Sequence, residues 1–241
     1  MNTTQTLDQM QDLKLNGMAA SYRCQLELPV NQQLEGHELL AHLLQAEQLH
    51  RTNERMESLL KSARFRFNVM PQQIDCSPER NLTKATWSSL LEGNYIRAGE
   101  NILITGATGC GKSVAACALG HHACTMGIKT RYFNMNRLIE TILMAKTEGS
   151  YVKLLNQLEK VPLIILDDFG IQHINKNIKL ALLQIMEDRY EKKSLIITSQ
   201  LPVSAWHDYL DEPTLADAIL DRLTARCHRI ELKGESRRKK K

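Results

Sequence analysis

The residues best suited to chemistry lie in one glycine-rich stretch near the middle of the chain. It reads Gly106-Ala107-Thr108-Gly109-Cys110-Gly111-Lys112-Ser113-Val114. The order G-x-x-x-x-G-K-[ST], called Walker A, is typical of a loop that wraps phosphate groups. Glycines let the backbone bend around an anion without Cβ clashes, and successive N–H groups then face it. We predict that residues 106–114 bind ATP, with Lys112 on the β- and γ-phosphates and the Ser113 hydroxyl as a Mg²⁺ ligand.

A second signal is a pair of carboxylates at the end of an apolar run. Residues 163–166 read Leu-Ile-Ile-Leu and lead directly into Asp167 and Asp168. A buried strand ending in acidic residues is the Walker B arrangement, in which Asp167 would hold Mg²⁺ through its water shell and Asp168 would polarise the attacking water. Many such ATPases have a Glu at the second position. The side chain of Asp168 is shorter, so it fits the role of general base less well. A strand that merely runs into an acidic turn is the alternative.

A third apolar run also ends in polar side chains. Residues 195–197 read Leu-Ile-Ile and are followed by Thr198, Ser199 and Gln200. At the end of a strand beside Walker B, a hydroxyl or amide would orient the attacking water, the role called sensor 1 in AAA+ ATPases. We predict that Gln200 or Ser199 has this role. Most strands end in polar residues, so the prediction depends on the order and spacing of the three motifs.

A fourth signal is an arginine near the end of the chain. Arg222 lies in the stretch Asp221-Arg222-Leu223, and Arg226 follows one helical turn later. An arginine supplied to the γ-phosphate of a neighbouring subunit neutralises transition-state charge, an effect of about 10³–10⁵ in rate. We predict Arg222 as this arginine finger, with Arg226 as the second choice. The alternative to a finger is that Asp221 pairs with the arginine at the start of a helix and that the arginine is an ordinary surface residue.

These residues need a scaffold of alternating strands and helices. Five apolar stretches predict strands: Asn101–Thr105, Lys129–Phe133, Pro162–Asp167, Ser194–Ser199 and His228–Leu232. Because helical stretches separate them, we predict an α/β fold, with a parallel five-stranded sheet covered by helices on both faces. The strand at 129–133 comes between Walker A and Walker B in the chain. This fits P-loop ATPases that place a strand between the two motif strands, whereas nucleotide kinases usually place them side by side.

The first 70 residues follow a different pattern. Apolar residues recur at helical spacing from Leu7 to Leu60, with an interruption at Asn16-Gly17, which predicts a pair of amphipathic helices. Such helices either pack as a plain appendage or form a module that binds a partner or DNA. We predict a helical domain over 1–70, a linker over 71–80, an ATPase domain over 81–233 and a basic tail over 234–241.

Composition and charge narrow the class of protein. The chain is 43% hydrophobic and 24% charged, which excludes collagen-like, disulfide-scaffold and wholly disordered classes. None of the six cysteines forms a C-x-x-C pair, so no zinc or disulfide site is indicated. The N-terminus lacks a basic and apolar leader, and no apolar run approaches the ~20 residues of a membrane span. We therefore expect a cytoplasmic protein with no membrane partner.

Basic residues are concentrated in two places. The net charge is +4, but residues 229–241 carry +5 and the rest of the chain −1. The chain ends Arg237-Arg238-Lys239-Lys240-Lys241, and a smaller basic-aromatic cluster reads Arg64-Phe65-Arg66-Phe67. Both could contact the phosphates of a nucleic acid. The alternative for the tail is a solvated chain terminus. The alternative for the cluster at 64–67 is a helix end whose cations interact with the helix dipole.

With these motifs in place, the chain resembles the IstB family, the AAA+ helper ATPases of two-gene insertion sequences, which are close to DnaC-type helicase loaders. The resemblance spans nearly the whole chain. It rests on residues 15–18, 106–113, 166–170, 198–200, Trp206, 221–223 and 234–237. The Asp-Asp-Phe-Gly, Asp-Arg-Leu and Gly-Glu-Ser-Arg elements are more particular to this group than the Walker motifs.

The resemblance implies a function that composition does not. Such proteins bind double-stranded DNA with ATP, oligomerise on it, and recruit and stimulate a transposase. Relatives carry extra helices after the second strand that contact DNA; here these are 135–160, with Lys146 and Lys153 as phosphate contacts. Ordinary solvated lysines are the alternative. Only 19 residues follow Arg222, so we expect a reduced or absent lid and slow basal hydrolysis.

Two details of the sequence depart from the family pattern. Gln200 stands where Asn is expected at sensor 1, and a lid-borne sensor-2 arginine is missing or replaced by a residue such as Arg226.

Three other functions compete with this one. The first competing function is a DnaC-like helicase loader. The others are a small-molecule kinase, which the Asp167-Asp168 pair argues against, and an ATP-gated scaffold with negligible catalysis.

Overall fold

The computed structural model describes residues 2–236, and the chain divides after Ser58 into two compact units. The last five residues of the basic tail, 237–241, lie outside the described part. None of the helices in that part is both long and apolar enough to cross a membrane.

The first unit is helical. It contains α1 (Thr3–Asp12), α2 (Asn16–Glu27), a 3₁₀ turn (Val30–Gln32) and most of α3 (Gly36–Ala63), which continues into the second unit. The interruption predicted at Asn16-Gly17 lies slightly earlier, at 13–15, because α2 begins at Asn16 and includes Gly17. The bend comes earlier, at Lys14, whose φ of 57° is left-handed. Glycine is required at position 17 because a Cβ there would lie 2.7 Å from the Ala46 carbonyl oxygen of α3.

A buried carboxylate joins α2 to α3. Glu47 of α3 accepts hydrogen bonds from the backbone N–H groups of Gly17 (2.8 Å) and Met18 (3.1 Å) and from Arg51 Nε (2.7 Å). These N–H groups belong to the first turn of α2, where they have no partner within the helix. Burial opposes ionisation of Glu47, but the hydrogen bonds from Arg51, Met18 and Gly17 outweigh it and lower the pKa.

The second unit contains the sheet. Its strands are β1 (Asn101–Gly106), β2 (Thr130–Asn134), β3 (Leu163–Phe169), β4 (Ser194–Ser199) and β5 (Cys227–Leu232). Its helices after α3 are α4 (Lys84–Leu91), α5 (Asn94–Ala98), α6 (Lys112–Thr125), α7 (Met135–Thr147), α8 (Tyr151–Glu159), α9 (Lys176–Arg189), α10 (Trp206–Leu210) and α11 (Pro213–Thr224). Short 3₁₀ turns lie at Pro71–Gln73, Pro78–Arg80 and Val203–Ala205. All five predicted strands are confirmed.

The sheet order is β2-β3-β4-β1-β5, and every neighbouring pair is parallel. The sheet therefore does place a strand between the Walker A strand β1 and the Walker B strand β3, as predicted. That strand is β4, however, and not the stretch at 129–133, which forms the edge strand β2. Crossover helices let a parallel strand pair with a non-consecutive neighbour, so order in the chain does not give order in the sheet.

Alternate residues of the strands build two cores. On one face, residues such as Leu103, Ile164 and Ile197 pack with α7 to α11, and on the other, Ile104, Ile165 and Ile196 pack with α4 to α6. Strands buried on both faces read as continuous apolar runs, which is the pattern that predicted them. Within the described residues, 233–236 follow β5 without forming a helix.

Candidate nucleotide-binding site

The glycine-rich loop connects the end of β1 to the start of α6. Gly106, Gly109 and Gly111 have φ of 143°, 86° and 97°, values that favour glycine. A Cβ on Gly106 would collide with the Leu232 carbonyl oxygen of β5, so glycine is also required by close packing. Lys112 is buried, and its Nζ donates to the carbonyl oxygens of Gly106 (2.8 Å) and Ala107 (2.9 Å). The loop thus has the shape of a phosphate cradle, with the lysine folded into it.

Arg80 supports this loop from outside, a role that sequence reasoning missed. Its Nη2 donates to the Cys110 carbonyl (2.7 Å), and its Nη1 donates to the Asp75 carbonyl. The Arg80 carbonyl in turn accepts from the Lys233 backbone N–H at 3.1 Å, just after β5. Buried arginines are uncommon, and no short motif marks them in sequence.

A cavity of about 280 Å³ opens against the loop. The loop and the start of α6 supply Thr108, Gly109, Gly111, Lys112, Ser113, Val114 and Ala115. The opposite wall comes from Phe67, Gln73, Ile74, Asp75 and Arg80, so the segment predicted as a linker over 71–80 helps to form the candidate site. Asp168 and Gln200 complete the lining.

Asp167 lies fully buried at the end of β3. Its carboxylate accepts a hydrogen bond from the Tyr132 hydroxyl (2.6 Å) on β2 and another from the Thr198 hydroxyl on β4. Burial and the hydrogen bond to Asp167 both raise the Tyr132 pKa, so the phenol stays protonated and donates. Two neighbouring strands thus fix the carboxylate, and neither donor was recognised in the sequence.

Asp168 sits in a bulge where β3 changes register against β4. Its φ of 65° is left-handed, a conformation that Asp tolerates better than most residues. Its backbone N–H donates to Thr198 Oγ1 (3.1 Å), and its carboxylate accepts from Asn134 Nδ2 (3.0 Å). The bulge turns the Asp168 side chain, which is 25% exposed, toward the cavity.

Arg66 contacts both acids from the segment that follows α3. Its Nη1 lies 3.2 Å from Asp168 Oδ2 and 3.6 Å from Asp167 Oδ2, and its guanidinium lies over the Phe67 ring at 5.3 Å. Burial lowers its pKa, but the interactions with Tyr132, Asp167 and Asp168 outweigh this and raise it. The sequence predicted Arg66 as a DNA contact, and its position beside Walker B was not foreseen.

The sensor candidates lie at the end of β4. Gln200 Oε1 accepts a hydrogen bond from Thr108 Oγ1 in the loop (2.6 Å), so it lies beside the cradle. Ser199 is buried, and its hydroxyl donates to the Phe169 carbonyl (2.7 Å) and accepts from the Leu201 N–H (3.1 Å). Of the two predicted residues, only Gln200 lines the cavity.

Arg222 lies at the opposite end of the sheet from the loop. Its carbonyl accepts from the Asn101 side chain at the start of β1, whereas the loop follows the end of that strand. Its guanidinium pairs with Glu187 (2.5 Å), and the hydrogen bond to Glu187 raises its pKa. Arg226 is half exposed and lies 3.9 Å from Glu100. Neither arginine lines the cavity of its own subunit.

The predicted DNA contacts are spread over the second unit. Lys146 Nζ donates to the Asn177 carbonyl (3.1 Å) and lies over the Tyr151 ring, and Lys153 is exposed on α8. Arg64 follows the last residue of α3 with a left-handed φ of 57°. The residues Arg237, Arg238, Lys239, Lys240 and Lys241 lie outside the described part.

The donor set fits Mg²⁺. Ser113 and Asp168 line the cavity and Asp167 precedes Asp168, which provides the hydroxyl and carboxylate oxygens that this hard cation prefers. Among residues 2–236 no group of three or more His, Cys, Asp or Glu side chains could hold a metal by itself. Magnesium in such sites is held by one or two protein oxygens together with phosphates and water.

The sheet order, the loop after β1 and the carboxylates near the end of β3 together define a P-loop protein of the AAA+ class. Residues 8–241 match the family described as IstB-like ATP binding protein. The chain therefore belongs to the IstB-like ATP-binding family, which confirms the resemblance seen in its sequence.

Named relatives come from insertion sequences. The y4pL insertion sequence ATP-binding protein of Sinorhizobium fredii is 42% identical over 234 residues, 97% of this chain and 96% of that protein. The IS21 ATP-binding protein of Pseudomonas aeruginosa is 31% identical over 228 residues, 95% and 86% of the two chains.

Among solved structures, the DnaC helicase loader matches 69% of this chain and 98% of that one, with a TM-score of 0.58 and 19% identity. DnaI matches 73% and 94%, with a TM-score of 0.57 and 16% identity. At these identities the likeness concerns the fold alone.

Proposed function

We propose that this protein is an ATP-hydrolysing regulator of DNA transposition that oligomerises on double-stranded DNA and recruits and stimulates a partner transposase. The observation that carries the proposal is the phosphate cradle at 106–113 beside Asp167 and Asp168, in a chain 42% identical to an insertion sequence ATP-binding protein. The fold, which is similar to that of the DnaC helicase loader, is compatible with this function and with that of a helicase loader.

In the proposed reaction, Lys112 exchanges its bonds to the Gly106 and Ala107 carbonyls for bonds to phosphate oxygens. The loop N–H groups and the N-terminus of α6 face the same anion. Asp168 polarises the attacking water, and Gln200 holds the loop through Thr108. Mg²⁺, when bound through Ser113 and Asp167, neutralises charge on the phosphates.

Assembly follows from the position of the proposed finger. Because Arg222 lies at the far end of the sheet from its own cavity, its action on a γ-phosphate requires a second subunit. ATP would then favour oligomers, since only they bring the finger and the nucleotide together. Hydrolysis would release or remodel the complex.

The test compares unaltered protein with Lys112→Ala and with Lys129→Ala, which removes a lysine that does not line the cavity. Calorimetry measures ATP binding, and electron microscopy with double-stranded DNA compares ATP, ADP and a non-hydrolysable analogue. We expect Lys112→Ala alone to lose nucleotide binding and ATP-dependent assembly. If Lys112→Ala hydrolyses ATP and assembles normally, the proposal is wrong.

The helicase-loader function is tested with the partner itself. If a transposase is encoded beside this gene, its addition should stimulate strand transfer and change the ATPase rate, while a replicative helicase should not bind. Helicase binding without any effect on the transposase would favour the loader.

A further inference from the structure

A second cavity adjoins the nucleotide cavity at Asp168. It encloses about 530 Å³, within the range of about 300–1,000 Å³ that is typical of ligand sites. Four arginines line it: Arg64, Arg66, Arg131 and Arg137. Among the described residues of this lining, Asp168 is the one acidic side chain, and it lines the nucleotide cavity as well. The two cavities therefore share a catalytic candidate.

The positive charge of this arginine cavity is only partly compensated. In the part of the chain that the structure describes, the only ion pairs these four arginines form are those of Arg66 with Asp167 and Asp168. Arg131 donates to the Ser62 carbonyl (3.1 Å), a neutral group, and its guanidinium lies 5.8 Å from the centre of the Phe133 ring. Guanidinium groups held on aromatic faces are pre-organised to bind phosphate oxygens in pairs.

The arginines are held in place by a packed anchor. Phe65 lies between Arg64 and Arg66, and its ring tip packs on Gly120 of α6, where a Cβ would come within 2.6 Å. Arg131 and Arg137 project from β2 and α7. The cavity is therefore formed by ordered elements of the second unit on both sides.

We propose that the arginine cavity binds a phosphodiester of the DNA backbone and that Arg66 links this binding to the Walker B carboxylates. A phosphate held by Arg64, Arg131 and Arg137 competes with Asp168 for the Arg66 guanidinium. When Arg66 turns to the phosphate, the two carboxylates lose their cationic partner, keep only neutral hydrogen-bond donors, and can act on Mg²⁺ and water. The inference rests on the proposed function and names the regulation of its site.

The coupling runs in both directions. A ligand that withdraws Arg66 raises the affinity of the carboxylates for a divalent cation, and by linkage a cation held there releases Arg66 for DNA. One side chain shared by two sites thus gives both DNA-stimulated hydrolysis and ATP-dependent DNA binding. An acidic peptide is a weaker fit, because the phosphates of a duplex offer the four arginines a denser row of negative charge than side-chain carboxylates do.

The first experiment measures divalent-cation affinity in the full-length protein with ADP, using Mn²⁺ and electron paramagnetic resonance. We expect a double-stranded oligonucleotide to tighten Mn²⁺ binding by about tenfold, a coupling of ordinary size. Arg66→Gln should bind Mn²⁺ that tightly without DNA and respond no further, while Arg66→Lys should keep part of the response. If Arg66→Gln weakens Mn²⁺ binding, Arg66 supports the carboxylates, and the proposal is overturned.

The second experiment measures DNA binding by fluorescence anisotropy over a salt series. The double variant Arg64→Gln/Arg137→Gln should lower the slope of log K against log salt by about two. Arg97→Gln, an exposed arginine of α5 outside the cavity, is the matched control and should leave the slope unchanged. Poly-glutamate competing as well as DNA would assign the cavity to an acidic protein instead.

The outcomes separate this inference from the proposed function. ATP-dependent DNA binding that the double variant leaves unchanged would refute the arginine cavity and keep the transposition regulator. Absence of DNA binding by the unaltered protein in every nucleotide state would refute both.

Discussion

The Thr198 hydroxyl donates a hydrogen bond to the Asp167 carboxylate and accepts one from the Asp168 backbone N–H at 3.1 Å. One side chain of β4 thus sets the positions of both Walker B acids. Because Thr198 is fully buried, no water can replace these bonds. The central strand of the sheet therefore determines the geometry of the candidate site as directly as the Walker B strand does.

Replacement of Thr198 by Val should damage the site at nearly constant volume. It leaves the Asp168 N–H and one Asp167 oxygen without their partner, at a cost of about 1–3 kcal/mol in the free energy of unfolding. We expect hydrolysis to fall by about tenfold or more. Urea denaturation and steady-state phosphate release measure the two effects. Thr198→Ser keeps the hydroxyl and should retain most activity; equal losses in both variants would contradict this account.

Replacement of Arg222 by Ala should keep nucleotide binding and abolish DNA-stimulated hydrolysis. The physical reason is the loss of a cation that acts on the neighbouring subunit, an effect of about 10³ or more in rate. Mixed oligomers provide a sharper test. Arg222→Ala and Asp168→Asn should each be inactive alone, but a mixture should regain activity where an intact finger meets an intact carboxylate. A mixture that stays inactive would contradict action across subunits. If Arg222→Ala keeps DNA-stimulated hydrolysis and Arg226→Ala loses it, the finger is Arg226.

Glu47 should stabilise the first unit in a pH-dependent way. Its folded pKa is lowered, so its contribution is present above its ordinary pKa and is lost as the pH falls through the folded pKa. At neutral pH, Glu47→Gln should reduce the hydrogen-exchange protection of the Gly17 amide by about tenfold. The difference from the unaltered protein should shrink in acid. The control is Glu57→Gln, an exposed residue of the same helix, and a pH-independent difference would rule out the charge as the cause.

Deletion of residues 237–241 should weaken DNA binding and flatten its salt dependence while ATP binding stays intact. The five residues are all Lys or Arg, and each DNA phosphate that is no longer neutralised lowers the salt slope by about 0.9. Anisotropy measurements with the full chain and the deletion, at matched ionic strengths, give the two slopes. An unchanged slope would mean that the tail is a solvated end.

Local patterns predicted much of this protein because they depend on neighbours in the chain. The loop at 106–113 requires glycines at positions fixed by its own turns, and β1, β3 and β4 read as apolar runs because both their faces are buried. These patterns predicted the five strands, the helical N-terminal region and the family. The break predicted at Asn16-Gly17 lies instead at 13–15, because the glycine permits close packing of helices, which local sequence does not distinguish from a turn.

The residues that surround the two acids could be identified only from the folded chain. Tyr132, Asn134 and Thr198 reach them across neighbouring strands, and Arg66 reaches them across 102 positions of the chain. The phosphate loop, the carboxylates and the alternation of strands and helices could be predicted from the sequence, because each is set by spacing along one segment. The order of the strands, and with it the contact of Arg66 with Asp168, is set by crossover packing. That packing depends on the fit between segments that are far apart in the chain, so no short pattern of residues predicts it.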